Sequence, residues 1–399
     1  MATTAEQMRT WSGPALFSFG FRPFFLGAGI WAMVAMILWI GMLSGGFQLP
    51  LAINSTSWHA HELLFGYLGA VLAGFMMTAV PNWTGRMPIV GWPLAGLFAI
   101  WLLGRLAMAI SGWLPPLVTA LADLAFLTAF ALAMAREIVA GRNWRNLMVI
   151  ALVGVFILAN VLFHFEAASG DFAAQGLGLR LGLGCALMLI ALIGGRIIPS
   201  FTRNWLVRRK EQRLPTPPMQ RFDKLSLLAW LITILTWVIL PDWPGTGLLL
   251  LLSGIIHLLR LSRWVGLRTG AEPLVWILHI GYIFLPLGAL TQGVAILWPE
   301  LIIQGAAQHL WMAGGIGMMT LAVMTRATLG HTGQELTAGP GTLTVYLLLI
   351  TSVILRLLAG ILPAQADMFY HISGTFWILA FGGFALFYGG LLLRYRPKS

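Results

Sequence analysis

The chain has 399 residues, of which 59% are hydrophobic and only 9% are charged. A soluble domain of this length needs more polar surface, so the composition argues against one and indicates a polytopic membrane protein. The net charge of +11 does not indicate a nucleic-acid-binding protein, because the basic residues lie in loops between apolar segments. Cys185 is the only cysteine, so a disulfide within the chain is excluded.

Windows of about 19 residues predict twelve membrane-spanning helices along the chain. We expect a single all-α membrane domain over residues 1–399, with spans between about 24 and 393 and a cytoplasmic linker at 200–224. The spans cover approximately 24–44, 58–80, 91–111, 117–136, 146–167, 177–199, 225–240, 247–264, 272–290, 304–326, 342–361 and 369–393.

The distribution of Lys and Arg predicts the orientation of these spans. Loops after even-numbered spans are basic, the longest being RNWLVRRKEQRLPTPPMQRFDK (203–224), whereas loops after odd-numbered spans contain no Lys or Arg. Because basic loops stay on the cytoplasmic side, both termini are expected in the cytoplasm. The basic linker itself is interpreted as facing anionic lipid, with docking of a partner protein as the alternative.

Weak internal similarity relates spans two and ten. Aligning His61 with His309 also places Gly66 on Gly314. In span six, PSFTR (199–203) resembles the PNWTGR (81–86) that follows span two. Since spans two, six and ten are four apart, the chain is interpreted as three four-helix units.

Histidine is the chemically informative residue type in these spans. A single histidine in a span usually makes a helix–helix hydrogen bond, but the arrangement in layers indicates that at least two of them bind metal. Five lie in a layer near the periplasmic ends of their spans and two lie deeper. The metal-ligand candidates are His59, His61, His164, His309 and His371 in the outer layer and His257 and His279 in the deeper one.

The stretch SWHAHELLFGYLG (57–69) carries two of these histidines and a glutamate. Residues two apart on a helix differ by about 200°, so His59 and His61 are expected to face different surroundings. A neutral imidazole is a good axial ligand for haem iron when a carboxylate or carbonyl fixes its second nitrogen. Glu62 is the candidate for that supporting carboxylate, and its alternative role is a favourable charge near a helix N-terminus.

Three arginines lie in the outer halves of spans and each needs an anion there. They are Arg105, Arg180 and Arg356. One interpretation pairs them with carboxylates of the chain, for which Asp123, Glu166 and Asp171 are available. The other assigns them to the propionates of a bound haem.

Four motifs resemble the NnrS family of bacterial inner-membrane proteins. They are FGFRPFFLGAGIWA (19–32), WHAHELLFGYLGAVLAGFMMTAVPNWTG (58–85), GGRIIPSFTRNW (194–205) and HLWMAGGIGMMTLAVMTRATLGHTG (309–333). The resemblance extends over nearly the whole chain. It implies an inner-membrane protein with haem and copper that is produced in response to nitric oxide and protects against nitrosative stress.

The predicted architecture is also similar to the catalytic subunit of haem-copper oxidases, which has twelve spans in three arcs. Carried over by position, His61 and His309 are the axial pair of a haem b, with Arg105, Arg180 and Arg356 as further cofactor-binding candidates. In those oxidases, histidines on spans six and seven hold the non-haem metal. The chain departs from that pattern, because its spans six and seven (177–199 and 225–240) contain no histidine. Copper or a second haem is therefore expected with His59, His164 or His371, or at His257 and His279.

The leading functional hypothesis is a haem membrane protein of nitric oxide metabolism. Its expected partners are the lipid bilayer, nitric oxide or nitrosyl species, and an electron donor that the sequence does not identify; whether it is an enzyme is left open. The alternative is a secondary transporter that exports a small molecule or a metal or nitrosyl complex. Transporters gather polar groups at the membrane midplane, whereas the predicted histidine layer lies near the outer surface.

Overall fold

A computed structural model of the protein describes residues 11–85 and 89–394. The described residues form helices and connecting loops, without a β-strand. Nine helices are α1 (Phe21–Leu43), α3 (Trp92–Ala109), α4 (Pro116–Ala140), α5 (Leu147–Ala168), α7 (Arg221–Ile239), α8 (Pro244–Ser262), α9 (Pro273–Leu297), α11 (Pro340–Ile361) and α12 (Ala366–Leu393). Three more, α2, α6 and α10, each contain a π-helical segment. Together they confirm the prediction of an all-α protein with twelve main helices.

The three composite helices share one construction. Helix α2 runs through Ser55–His61, the π segment Glu62–Leu68 and Gly69–Thr84. In α6 the parts are Leu177–Leu189, the π segment Ile190–Gly194 and Gly195–Arg208, and in α10 they are Gln304–His309, the π segment Leu310–Gly317 and Met318–His331. The π segments therefore recur four helices apart, which supports the predicted repeat of spans two, six and ten.

Eleven of the described helices are long and apolar enough to cross a membrane. They include α2, from Ser55 to Pro81, and α6, from Leu177 to Arg208. The protein is thus a multi-pass membrane protein. Helix α10 is not among the eleven, although the sequence predicts a span there. It carries His309 and Arg326, and such polar residues lower its hydropathy.

Short sequence signals define where these helices begin and end. Asn54 caps α2 by accepting a hydrogen bond from the backbone N–H of Ser57 at 2.8 Å. Proline stands in the first turn of several helices, such as Pro116 in α4, where its missing N–H costs nothing. Helix α2 ends at Gly85, whose φ of 68° is a left-handed conformation that glycine adopts without strain.

The contacts divide the chain into two compact units. The first contains residues 1–182, 327–335 and 381–399, and the second contains 183–326 and 336–380. The expectation of one membrane domain stays a prediction. The first unit holds α1 to α5, and the second holds α7, α8, α9 and α11.

In the first unit, α3 packs against α4, and α4 packs against α5. Gly104 of α3 allows this close approach, because a Cβ there would lie only 3.1 Å from the Cα of Asp123 in α4. The same contact brings Arg105 of α3 and Asp123 of α4 together as an ion pair.

Candidate metal centre

Four helices of the first unit place polar residues at one common level. His61 lies six residues from the start of α2 and Asp123 seven from the start of α4, about 10 Å along each helix. Arg105 and His164 each lie four residues before the end of their helices, about 6 Å. Because successive helices run in opposite directions, the four side chains meet near the same end of the bundle.

His61 stands at the middle of this cluster and is completely buried. Its Nδ1 lies 2.9 Å from Oε1 of Glu62. Its Nε2 lies 3.1 Å from Oδ2 of Asp123 and 3.0 Å from Oδ1 of Asn160. Both ring nitrogens therefore face oxygen atoms that can accept hydrogen bonds or bind a metal ion.

Oδ2 of Asp123 is the point on which the other donors converge. His164 Nε2 lies 3.0 Å from this oxygen, and Asn160 donates to it through Nδ2 at 2.7 Å. That amide hydrogen bond fixes the orientation of Asn160, since a flipped amide would set two oxygens against each other. The amide oxygen of Asn160 consequently points to His61.

Arg105 contacts both carboxylates of the cluster and offsets the charge of one of them. Its Nη1 donates to both oxygens of Glu62 at 2.7 Å, and its Nη2 donates to Oδ1 of Asp123. Trp31 of α1 donates a further hydrogen bond to Oε2 of Glu62 at 2.8 Å. Paired and hydrogen-bonded charges are the only ones that apolar interiors accept at moderate cost. Arg105 is thus paired with carboxylates of the chain, as one of the two interpretations of the sequence has it, and its assignment to a haem propionate stays a prediction.

Three of these side chains offer a metal ion its ligand atoms. Among the described residues, His61, Asp123 and His164 are the group of at least three His, Cys, Asp or Glu side chains whose donor atoms all lie within 4.8 Å of one another. Ligand atoms held about 2.1 Å from one metal ion are themselves roughly 3.0–3.4 Å apart. The two histidine nitrogens lie 3.1 and 3.0 Å from Oδ2 of Asp123, within that range. The amide oxygen of Asn160 supplies a fourth donor at the same position.

The surroundings of His61 match those of histidines that bind metals. In known centres the second ring nitrogen donates to a carboxylate, which fixes the tautomer and leaves the other nitrogen for the ion. Glu62 occupies that position at Nδ1, as the sequence predicts for this carboxylate. Two imidazoles with carboxylate and amide oxygens suit Fe(II), Zn(II) or Cu(II) better than Cu(I), which prefers sulfur.

A comparison with protein-family models decides the family. The model described as NnrS protein matches residues 15–396. The chain belongs to the NnrS family. No match was found among curated proteins. NnrS membership indicates a membrane protein of the nitric oxide response.

The two predicted axial ligands, His61 and His309, do not fit a haem equally well. At Nε2 of His61, haem iron would have to replace the contacts with both Asp123 and Asn160, so this nitrogen fits the compact metal centre better. In α10 of the second unit, Nδ1 of His309 donates to the carbonyl oxygen of Gly305 at 2.6 Å. This bond places the proton of a neutral imidazole on Nδ1 and the lone pair on Nε2, as an axial ligand requires.

The three arginines predicted to bind haem propionates also differ in their contacts. Arg105 is held by two carboxylates, and Arg180 donates to the carbonyl oxygen of Gln175. Arg356 lies over the ring of Tyr370 at 4.7 Å, and no ion pair joins it to a carboxylate within the described residues. Of the three arginines, Arg356 best fits an external anion.

Other predicted ligands have separate surroundings. His59 stacks on Trp39 of α1 with ring centroids 4.6 Å apart, so it faces away from the cluster of its neighbour His61, as the helical spacing predicts. In the second unit, Nε2 of His279 bonds to Thr202, whereas His371 lies near the start of α12. The metal roles of His59, His279 and His371 stay predictions.

His257 belongs to a second buried polar cluster, in the second unit. Its Nδ1 lies 2.9 Å from the hydroxyl of Tyr282, which accepts a hydrogen bond from Arg260. Arg260 is paired with Asp223 at 2.9 Å and donates to the carbonyl oxygen of Ala191 in the π segment of α6. Either partner can donate in the hydrogen bond between His257 and Tyr282, so the metal role of His257 stays a prediction.

Asp123 and Asn160 are the cluster residues whose chemistry the sequence did not reveal. The sequence predicts Asp123 only as an ion-pair partner, and an asparagine in an apolar helix gives no signal of its own. One signal was available: Asn160 and His164 are four residues apart and therefore share a face of α5. That face also presents Phe156 and Phe163 to the core.

Proposed function

We propose that this NnrS protein acts in the nitric oxide response through a metal ion held by His61, Asp123, His164 and Asn160. The observation that carries the proposal is the convergence of two imidazole nitrogens on one carboxylate oxygen, at 3.1 and 3.0 Å, inside a membrane protein. Ionisable groups are costly in a bilayer and are retained there for function. A reactive metal in an apolar bundle also suits nitric oxide, which is small, neutral and soluble in lipid.

Measurement of metal content tests this proposal directly. Detergent-purified protein is expected to contain about one equivalent of a transition metal, measured by plasma mass spectrometry, whereas His61→Ala and His164→Ala lose most of it. His331→Ala is the matched control, because this histidine stacks on Phe19, packs against Phe21 and belongs to neither cluster. Equal metal content in His164→Ala and the control would overturn the proposal, provided that all variants elute as the same folded species.

A haem b is the second candidate cofactor, with His309 as an axial ligand. The hydrogen bond from Nδ1 of His309 to Gly305 and the position of Arg356 away from described carboxylates favour it. The test is the difference spectrum between dithionite-reduced and oxidised protein. His309→Ala is expected to abolish or shift a b-type spectrum. A parallel loss in His61→Ala would support the axial pair predicted from sequence, and an unchanged spectrum in that variant would assign His61 to the separate metal centre.

The location of the cluster distinguishes this proposal from the transporter alternative. Secondary transporters place their binding residues near the bilayer midplane, beside interrupted helices. Here the cluster lies about 6–10 Å from the ends of its helices. The proposed localisation is the bacterial inner membrane with both termini in the cytoplasm, as the NnrS resemblance and the basic loops favour.

A further inference from the structure

The formal charge of the proposed metal centre is not balanced by the chain. Glu62 and Asp123 contribute two carboxylates, and Arg105 contributes one guanidinium. When His61 and His164 bind a metal they are neutral. The protein groups then carry one net negative charge, so a divalent ion leaves the centre with one net positive charge.

This excess charge lies in an apolar environment. The exposed fractions of Glu62, Asp123 and Arg105 are 0%, 2% and 3%. Water cannot screen a charge in such a place, and an unbalanced buried charge costs several kcal/mol. A ligand that brings one negative charge would remove this cost, whereas a dianion would reverse it.

The shape of the site limits the size of such a ligand. The rings of Phe65 and Phe163 lie 5.3 and 5.1 Å from the ring of His61 and form apolar walls. The side chain of His164 is 12% exposed, in contrast to the completely buried His61 side chain, so a small ligand would reach the ion from the His164 side. Four protein donors also leave at least one position free on an ion that accepts five or six ligands.

We propose that the metal centre binds a small monovalent anion, of the size of azide, nitrite or hydroxide, as its external ligand. The proposal rests on the proposed function, because it requires a divalent ion at His61, Asp123 and His164. It goes beyond the proposed function because it specifies the charge of the external ligand that the metal ion binds. Neutral ligands of similar size are expected to bind more weakly, and divalent anions such as sulfate are expected not to bind.

The experiment uses full-length protein reconstituted with Co(II), whose visible absorption bands report the ligands of the ion. Azide, imidazole and sulfate are titrated in turn as monoanion, neutral ligand and dianion. Two nearly isosteric variants change the charge in opposite directions. Glu62→Gln adds one positive charge and is expected to tighten azide binding about tenfold or more. Asn160→Asp adds one negative charge and is expected to weaken azide binding by a similar factor.

Imidazole is the neutral comparison ligand, because a neutral molecule responds to the added charge less than azide does, so its affinity is expected to change by a smaller factor in each variant. Opposite shifts of azide affinity that exceed the shifts of imidazole affinity support the proposal. Equal azide affinity in wild type and in whichever charge variant folds, or equal binding of sulfate and azide, overturns it. Failure of the wild-type protein to take up Co(II) would instead remove the metal centre itself, so the two proposals fail by different results.

Discussion

Arg105 is the residue on which the buried cluster depends most strongly for its stability. Its guanidinium contacts Glu62 and Asp123, and each of these carboxylates in turn contacts His61. Removal of one member of a buried ion pair leaves the other charges without compensation, which costs more than the pair itself contributes. The packing of α3 against α2 and α4 is therefore expected to be sensitive to substitution of Arg105.

Arg105→Leu is expected to lower the free energy of unfolding in detergent by about 3–5 kcal/mol. Arg268→Leu is the matched control. Its guanidinium is 48% exposed and its partner Glu211 is also accessible, so this loss is expected to cost at most about 1 kcal/mol. Chemical denaturation of both variants measures the difference. Similar small losses in the two variants would show that the buried charges are already neutralised in some other way.

At the scale of the element, the π-helical segments explain how the cluster is held. In a π segment the backbone hydrogen bonds join residues five apart instead of four, and such segments are frequent at functional sites. In the first unit, Glu62 begins the π segment of α2, and Trp101 donates to the carbonyl oxygen of Gly66 at 3.0 Å. A Cβ at Gly66 would overlap the guanidinium of Arg105 and lie 2.9 Å from Oε2 of Glu62. Glycine is thus required for the close approach of Arg105.

In the second unit, too, a buried arginine packs against a glycine beside a π segment. Arg260 bonds to the π segment of α6 through the carbonyl oxygen of Ala191. A Cβ at Gly195 would overlap its guanidinium, as at Gly66. Arginine, buried aspartate and a glycine at a π segment therefore occur together in both units. The order differs, however: Arg105 precedes Asp123 after α2, whereas Asp223 precedes Arg260 after α6, so the two clusters share their chemistry without occupying equivalent positions of the predicted repeat.

Gly66→Ala tests the role of the π segment. The methyl group must displace Arg105 or Glu62, and we expect a loss of about 1–3 kcal/mol of stability together with reduced metal content. Gly96→Ala, in α3, is the control, since a Cβ there meets no atom within 4 Å and helical propensity favours alanine. Unfolding curves and metal analysis are measured on both. Full stability and metal retention in Gly66→Ala would contradict this account of the segment.

The positions of the helices were largely predictable from sequence, but the pairing at the site was not. Apolar segments of about 20 residues determine spans almost directly, because the bilayer permits few alternatives. The composition of a centre depends on contacts between residues far apart in the chain, such as His61 with Asp123 and Asn160. Histidine identity and depth indicated metal binding, yet depth alone did not tell which histidines share one centre.

At the scale of the whole molecule, the loop charges predict both termini in the cytoplasm. A green fluorescent protein fused after residue 399 is expected to fluoresce, and alkaline phosphatase inserted in the loop after α5, at about residue 170, is expected to be active. The reciprocal fusions serve as controls. An active phosphatase at the C-terminus would contradict the orientation and place the cluster near the opposite membrane surface.

The measurement that most directly tests the central claim is X-ray absorption spectroscopy at the edge of the metal that copurifies with the protein. A centre built from His61, His164, Asp123 and Asn160 predicts two imidazole ligands per ion, with the remaining ligands oxygen. His164→Ala, reconstituted with the same metal, is expected to show one imidazole. A spectrum dominated by sulfur ligands, or a signal that does not change in His164→Ala, would contradict the proposed metal centre.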